Sequence, residues 1–342
     1  MKRYLVTGAS GFVGTALIEA LVNDKALVNV LVRTEMKSLA KTKTGHDLNV
    51  DFSEIKPFLI YDFANISLTQ NSPIISSALE GVESLIHLAA RVHVMNDNAV
   101  DPLSDFRKIN TTATLELARM AAIAGVKRFV FLSSIKVNGE STQPGQPFTS
   151  EDSFVPTEPY GLSKYEAEQG LLKIAAETGM EVVIIRPPLV YGPGVKANFE
   201  SMLKWVNKGV PLPFGLVHNQ RSLVALDNLV DFIMLCADQE KSPNAANQVF
   251  LVSDQDDVST TVLLKRVAKS LGKSSRLLPI PVSFMRFAAT ILGRSAVAKR
   301  LFGSLQLDSS KATNLLGWKP VTTMQQQLEK TADAFLKASD TR

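Results

Sequence analysis

Along the first half of the chain, short apolar and β-branched runs alternate with longer stretches whose apolar residues recur at helical spacing. RYLVTG (3–8), LVNVLVRT (27–34), FLIYDF (58–63), SLIHLAA (84–90), RFVFLSS (128–134) and EVVIIRP (181–187) read as strands. Residues 14–23, 103–124 and 160–178 carry the intervening helical patterns. Strands that are apolar almost without a break bury both faces, as a parallel sheet covered by helices does. Their alternation with helices is the mark of βαβ units, so the predicted fold class is α/β with a doubly wound parallel sheet.

At 342 residues the chain exceeds the size at which one hydrophobic core usually keeps growing, and two packed units are expected. After RPPLVYGPG the pattern loses regularity and gains proline, as in GVPLPFG. The boundary falls there. A first unit covers 1–185, with part of 222–255 packing back onto it, and a smaller α/β unit covers 186–342.

Composition then narrows the function classes. Lys and Arg number 37 against 33 Asp and Glu, a formal charge of +4 spread without a long basic block. Scattered charge with no aromatic-rich basic stripe argues against nucleic acid and suits anionic small molecules. Cys236, in DFIMLCADQ, is the single cysteine, which excludes an internal disulfide and a multi-cysteine metal site. No metal is expected, and the cytoplasm is the default compartment. The start MKRYLVTGASGFVG is too short in its apolar part and too broken by glycine for a signal peptide. The segment IPVSFMRFAATILGRSAVAKRLFG (280–303) combines an apolar stripe with Arg286, Arg294, Lys299 and Arg300. Such helices usually bury their stripe against their own protein, and that is the expectation here, with surface contact to a membrane as the alternative and no stable insertion.

The stretch YLVTGASGFVGTAL places Gly8, Gly11 and Gly14 directly between the first strand and the first helix. Glycines at such a junction let the backbone turn tightly and approach a pyrophosphate held at the helix N-terminus. The spacing is G-x-x-G-x-x-G, not the G-x-G-x-x-G dinucleotide fingerprint, so position rather than spacing carries the reading. At the end of the second strand, where an acidic residue would accept from the ribose of NAD, VLVRTEMK presents Arg33, with Glu35 and Lys37 nearby. A guanidinium cannot accept from a hydroxyl and suits a 2′-phosphate, so NADP(H) is favoured over NAD. Asp62 in IYDF is a candidate adenine contact.

Further chemistry sits in FVFLSSIKVNGE (129–140) and PYGLSKYEAE (159–168). Tyr160 and Lys164 are four apart and share a helix face, and Ser134 ends the fifth strand at the carboxyl edge where ligands collect. With TGASGFVG, LIHLAA, KIN, RPPLVYGPG, RSLVALDNLVD and DSSKATNLLGW, the chain resembles an extended short-chain dehydrogenase/reductase of the NAD-dependent epimerase/dehydratase type over nearly its whole length.

That resemblance implies a Rossmann-type fold with a smaller substrate domain, a UDP-sugar substrate and a homodimer built through the helices near 103–124 and 160–178. It makes Tyr160 the general acid/base, Lys164 its electrostatic activator and a ribose contact, and Ser134 a partner of the reacting oxygen. Gly8, Gly11, Phe12, Val13, Gly14, Arg33, Asp62, Leu88, Ala89, Ala90, Asn110, Tyr160, Lys164 and Pro187 are the implied cofactor contacts. Arg91, His93, Ser134, Asn198, Pro213 (beside Phe214), Arg221 and Arg300 are the implied substrate contacts. Ala113 stands where the family commonly has glycine after its asparagine. His87, within a buried strand, is expected to be structural. A phenol operating near neutrality needs roughly 4 kcal/mol of help, about what one ammonium at ~4 Å supplies at an effective dielectric near 20.

The resemblance also bears on the reaction. Ile135 and Lys136 occupy the places of the Asp-Glu pair that sugar-nucleotide dehydratases use, which argues against elimination. Two readings remain, a 4-epimerase and a 4-ketoreductase. Arg33, RVHVMND and SSIKVNG favour reduction of a UDP-4-keto-6-deoxy-N-acetylhexosamine for surface polysaccharide synthesis. A reading of another class, an NADP-holding redox sensor without turnover, is opposed by the presence of Ser134, Tyr160 and Lys164.

Overall fold

Seven strands, each parallel to its neighbours, form the central sheet of the computed structural model. The structure describes residues 1–33, 54–60, 63–65, 72–92, 101–293 and 295–340, with side chains for all of these but residues 65, 72, 295–297, 300 and 340. The strands are β1 (Arg3–Thr7), β2 (Leu27–Val32), β3 (Ile55–Leu59), β4 (Ser84–His87), β5 (Arg128–Leu132), β6 (Glu181–Arg186) and, after the separate pair β7 (Leu189–Tyr191) and β8 (Leu223–Ala225), β9 (Gln248–Leu251). Their spatial order is β3-β2-β1-β4-β5-β6-β9, so the winding reverses between β1 and β4 and leaves a crevice outside the carboxyl ends of those two strands.

Period-two side-chain alternation explains the two cores. Val6, Val130, Val183 and Ile185 point to one face, where α1 (Phe12–Asn23) contributes Leu17, Ile18 and Leu21, and a second helix, Leu226–Ala237, contributes Leu229, Phe232 and Ile233. Leu5, Phe129, Phe131, Val182 and Ile184 point to the other face. There they meet α2 (Ser72–Leu79), the helical stretch built from α3 (Pro102–Phe106), a π turn (Arg107–Thr112) and α4 (Ala113–Ile123), and α5 (Pro159–Thr178). The remaining helices are α6 (Ala197–Asn207), α7 (the Leu226–Ala237 helix), α8 (Thr260–Ser270), α9 (Val282–Ile291), α10 (Ser295–Phe302), α11 (Ser310–Leu316) and α12 (Met324–Asp340).

A third core joins Tyr191, Phe199, Leu203, Leu264, Val267, Met324 and Leu328 from β7, α6, α8 and α12. The chain crosses back from this part more than once, since β9 pairs with β6 and α7 packs on α1. Arg128, with no exposed surface, donates to Glu181, to Ser242 and to the carbonyl of Cys236, tying the start of β5 to this return segment. Cys236 is buried in α7, and burial pushes its thiol pKa up, so it behaves as a small apolar side chain.

Two differences from the sequence expectation have local causes. The third strand is Ile55–Leu59, ahead of the expected 58–63, because the apolar run continues past the part that pairs with β2. The expected 103–124 helix is interrupted by the π turn around Asn110. The QVFL strand at 248–251 joins the large sheet after 61 residues that do not, within the 222–255 segment expected to pack back onto the first unit.

Candidate active site

Gly8 follows β1 with φ +74°, and a β-carbon there would stand 2.7 Å from the backbone nitrogen of Ala89 after β4. A β-carbon on Gly14, one turn into α1, would lie 2.1 Å from the carbonyl oxygen of Gly8. The first helical turn thus closes onto the strand end with no room for side chains. Gly11, in extended conformation, caps α1 without a side-chain acceptor for the first-turn N–H groups. A bare glycine turn at a helix N-terminus in the switch-point crevice fits the pyrophosphate of a dinucleotide, and Phe12 and Val13 open the helix there. Arg33 is exposed immediately after β2, the strand next to β1.

Thr7, His87 and Phe131 lie abreast on β1, β4 and β5. The His87 ring is fully buried, stacks between Phe63 and Phe131, and bonds Thr7 Oγ1 at 2.7 Å and Thr114 Oγ1 at 2.9 Å. Thr7 in turn accepts from the N–H of Ala89 at 3.2 Å, which holds Leu88–Ala90 against the glycine turn. Burial, with the nearby Lys164 charge, lowers the His87 pKa to about 3. The native state therefore refuses a proton that the unfolded chain takes up below pH ~6.5. Stability attributable to His87 is complete above that value and falls by about 1.4 kcal/mol per pH unit as acid is added through the window down to pH ~3. Denaturant midpoints at pH 7 and pH 4.5 should diverge less for His87→Gln than for the wild type; equal divergence would remove this assignment.

Asn110 is buried in the π turn and uses its whole amide: Oδ1 accepts from the Arg91 N–H at 2.8 Å, and Nδ2 donates to the Arg91 carbonyl at 3.0 Å and to Ser163 at 3.1 Å. It clamps the segment after β4 to α5. Its amide thereby positions the segment after β4 next to the glycine turn. The Arg91 guanidinium pairs with Asp105 at 3.4 Å and lies over the Phe106 ring.

Ser134 leaves β5 in extended conformation and caps the short turn Ile135–Val137. Tyr160 opens α5, whose N-cap Glu158 accepts from the Tyr160 and Gly161 N–H groups, both at 3.2 Å, with Pro159 in the first turn. Gly161 is required by close approach: a β-carbon would stand 2.9 Å from the Lys136 carbonyl, so the helix can lie directly against the turn bearing Ser134. Tyr160 is half-buried, its ring edge-on to Phe106 and 5.8 Å from the Lys136 ammonium, which also pairs with Glu158. Pro187 gives its carbonyl to the Ile135 N–H at 3.0 Å, so the crevice wall continues onto β6.

The electrostatics differ from the sequence expectation. Burial pushes the Tyr160 phenol up to about 12, the Glu158 charge pushes the same way, and the hydrogen bond with the Ser134 hydroxyl pulls it down. Lys164, fully buried, donates to the Leu132 carbonyl at 2.8 Å and sits 4.3 Å from the Phe131 ring centroid. Burial lowers its own pKa to about 7, against the supporting charge of Glu168. The ammonium faces a carbonyl instead of the phenol, and desolvation of the phenol outweighs the assistance anticipated from sequence.

Sequence reasoning missed what holds this helix face in place. Glu168 recurs at the spacing that links Tyr160 to Lys164, and it is buried in a bidentate pair with Arg186, while accepting from Ser133 Oγ. Arg186 also donates to Asn138 Oδ1 at 2.9 Å, and Asn138 donates to Asp152 and the Thr149 carbonyl. Ser133 precedes Ser134, so the network fixes the β5 end and α5 together.

On the substrate side, Arg221 is half-buried, donates to the Gly303 carbonyl at 3.2 Å, and has its pKa lowered by burial. Phe214, beside Pro213, meets Phe302. Asn198 is exposed in the first turn of α6, in a different core unit from the Ser134–Tyr160 pair. Asp62 and His93, together with Glu35 and Lys37, lie outside the described residues, as does the side chain of Arg300.

A doubly wound sheet with a bare glycine turn at its switch point, and a serine, tyrosine and lysine on the adjoining strand and helix, defines the class of extended short-chain dehydrogenase/reductase enzymes. Residues 4–251 match the model of the NAD dependent epimerase/dehydratase family, and the chain belongs to that family. It is 44% identical to the UDP-glucose 4-epimerase of Vibrio cholerae, over 99% of this chain and 97% of that protein. It is 26% identical to an Escherichia coli O157:H7 N-acetyl-alpha-D-glucosaminyl-diphospho-ditrans,octacis-undecaprenol 4-epimerase, over 96% and 93% of the two chains. The fold superposes on a UDP-glucuronic acid 4-epimerase from Bacillus cereus, solved with NAD, at TM-score 0.76 and 21% identity, covering 98% and 96%.

Proposed function

We propose that this enzyme catalyses nicotinamide-dependent oxidoreduction at C4 of a UDP-sugar, with 4-epimerisation as its reaction. The observation that carries the reading is the packing of the Tyr160 end of α5 directly against the turn that Ser134 caps at the end of β5, where Gly161 leaves no room for a β-carbon, in a chain similar over its whole length to a UDP-glucose 4-epimerase. When bound, the nicotinamide would accept and return a hydride. The glycine turn with Phe12 and Val13 would hold the pyrophosphate, and Leu88–Ala90 and Pro187 would line its path. Tyr160 would take the proton of the C4 hydroxyl and give it back, and Ser134 would donate to the same oxygen. A phenol near 12 is a strong base once ionised. Because the Lys164 pKa is near 7, its charge is available in neutral solution only in part, and Glu168 adjusts how much. Arg221 would pair with the diphosphate through its planar fork.

A second reading rests on Arg33. Its exposed cation beside the glycine turn suits the 2′-phosphate of NADP(H), and a cofactor that must exchange each cycle suits reduction of a UDP-4-keto sugar. Incubating the protein with UDP-glucose or UDP-N-acetylglucosamine, and separately with NADPH and a UDP-4-keto-6-deoxy sugar, distinguishes the two. Epimerisation gives C4 epimers with no net change in nicotinamide absorbance, and reduction consumes NADPH in proportion to product. Neither result with any UDP-sugar overturns both readings and revives the redox-sensor alternative.

A further inference from the structure

The expectation that residues 280–303 bury their apolar stripe holds on one side only. Val282, Met285 and Ala289 of α9 pack onto Val217, Ala298 and Phe302. The opposite stripe carries Phe284, Phe287 and Ile291, exposed to 62%, 64% and 70%, with Leu292 following at 72%. No residue of α9 is buried. An exposed row of large apolar side chains on one helix marks a contact site.

Charge identifies what it contacts. Between Asp257 and Asp308 the chain has nine Lys and Arg and no Asp or Glu, whereas the whole protein balances 37 against 33. Arg266 is committed to Asp256, while Arg286 on α9 and Lys299 on α10 are exposed. A second copy meeting this face by two-fold symmetry would set one acid-free basic segment against another, which like charge opposes. An anionic lipid surface accepts both features, phenylalanines at the acyl boundary and cations at the headgroups. Among the described residues no helix is long and apolar enough to cross a membrane, so the contact is with the surface.

We infer that α9 docks this enzyme onto anionic phospholipid through Phe284, Phe287 and Ile291, with Arg286 and Lys299 as the electrostatic flank. The inference is independent of the reaction proposed above. Gly303, which follows α10, gives its carbonyl to Arg221, so the docking element adjoins the candidate diphosphate site.

The test is co-sedimentation of the full chain with vesicles of equal phosphatidylglycerol and phosphatidylcholine, against vesicles of phosphatidylcholine alone. Binding is expected to the mixed vesicles only, to fall by about tenfold or more in Phe284→Ser/Phe287→Ser, and to weaken likewise in Arg286→Glu/Lys299→Glu. Exposure of all four side chains predicts unchanged thermal midpoints for both variants. A Phe287→Trp protein should shift its emission to the blue on adding mixed vesicles, a readout that does not depend on the disruptive variants. Absence of wild-type binding, or binding unaffected by the phenylalanine changes, overturns the proposal. So does a dimer in sedimentation velocity that the phenylalanine changes dissociate, since a second copy would then cover the face.

Discussion

Tyr160→Phe is expected to leave the fold and dinucleotide binding intact while turnover of a UDP-sugar falls by about a thousandfold or more. The ring itself is retained, with its edge contact to Phe106 and the Lys136 ammonium 5.8 Å from its centroid. What is lost is one half-buried hydroxyl, a change of about 1 kcal/mol or less in stability. The rate loss follows from the proposed proton transfer, for which no other described side chain is placed: Lys136 is held by Glu158 and Lys164 by the Leu132 carbonyl. Nucleotide affinity by calorimetry and turnover by product chromatography separate the two effects. Turnover within about tenfold of wild type would show that Tyr160 is not the proton carrier. Lys164→Met should instead alter the pH profile, removing the limb near pH 7 that titration of this lysine adds.

Much of this site was legible in the sequence because backbone demands leave a residue signature. Gly8, Gly11 and Gly14 were assigned to a strand-to-helix turn, and the contacts that a β-carbon on Gly8 or Gly14 would make are the reason no other residue serves there. Periodicity located α1 and α5 to within two residues of their ends. The 103–124 pattern is helical in spacing as in structure, but nothing in that spacing announces a π turn, whose extra residue turns Asn110 inward between Arg91 and Ser163.

The electrostatic expectation missed for a different reason. Spacing places Tyr160 and Lys164 on one face, yet it says nothing of which acceptor a buried ammonium finds or how strongly burial penalises the phenolate. A neighbour in sequence, Glu168, continues the same face, and an acidic residue one turn beyond the lysine is the signal that points to this pair. Its partner Arg186 was hidden within EVVIIRP, where an arginine ending an apolar strand looks like a solvated end. The apolar face of α9 was misjudged because an amphipathic stripe does not reveal how many elements will cover it.

The second large effect is expected at that ion pair. Arg186→Leu should lower stability by about 3–5 kcal/mol, because the Glu168 carboxylate would stay buried with Ser133 as its remaining protein donor. The same change frees Asn138 Oδ1, which Arg186 now satisfies at 2.9 Å. Glu168→Leu/Arg186→Leu should recover a large part of the loss, since desolvating two charges costs about as much as their attraction returns. Turnover need not recover with it. The double variant removes the acidic charge that supports the cationic form of Lys164, so the Lys164 pKa drops further below its present value near 7 and activity shifts with it. Urea midpoints report the first effect and the pH dependence of turnover the second. A single variant costing under about 1 kcal/mol, or a double variant less stable than both singles, would mean that the buried pair does not lock α5 to the end of β5.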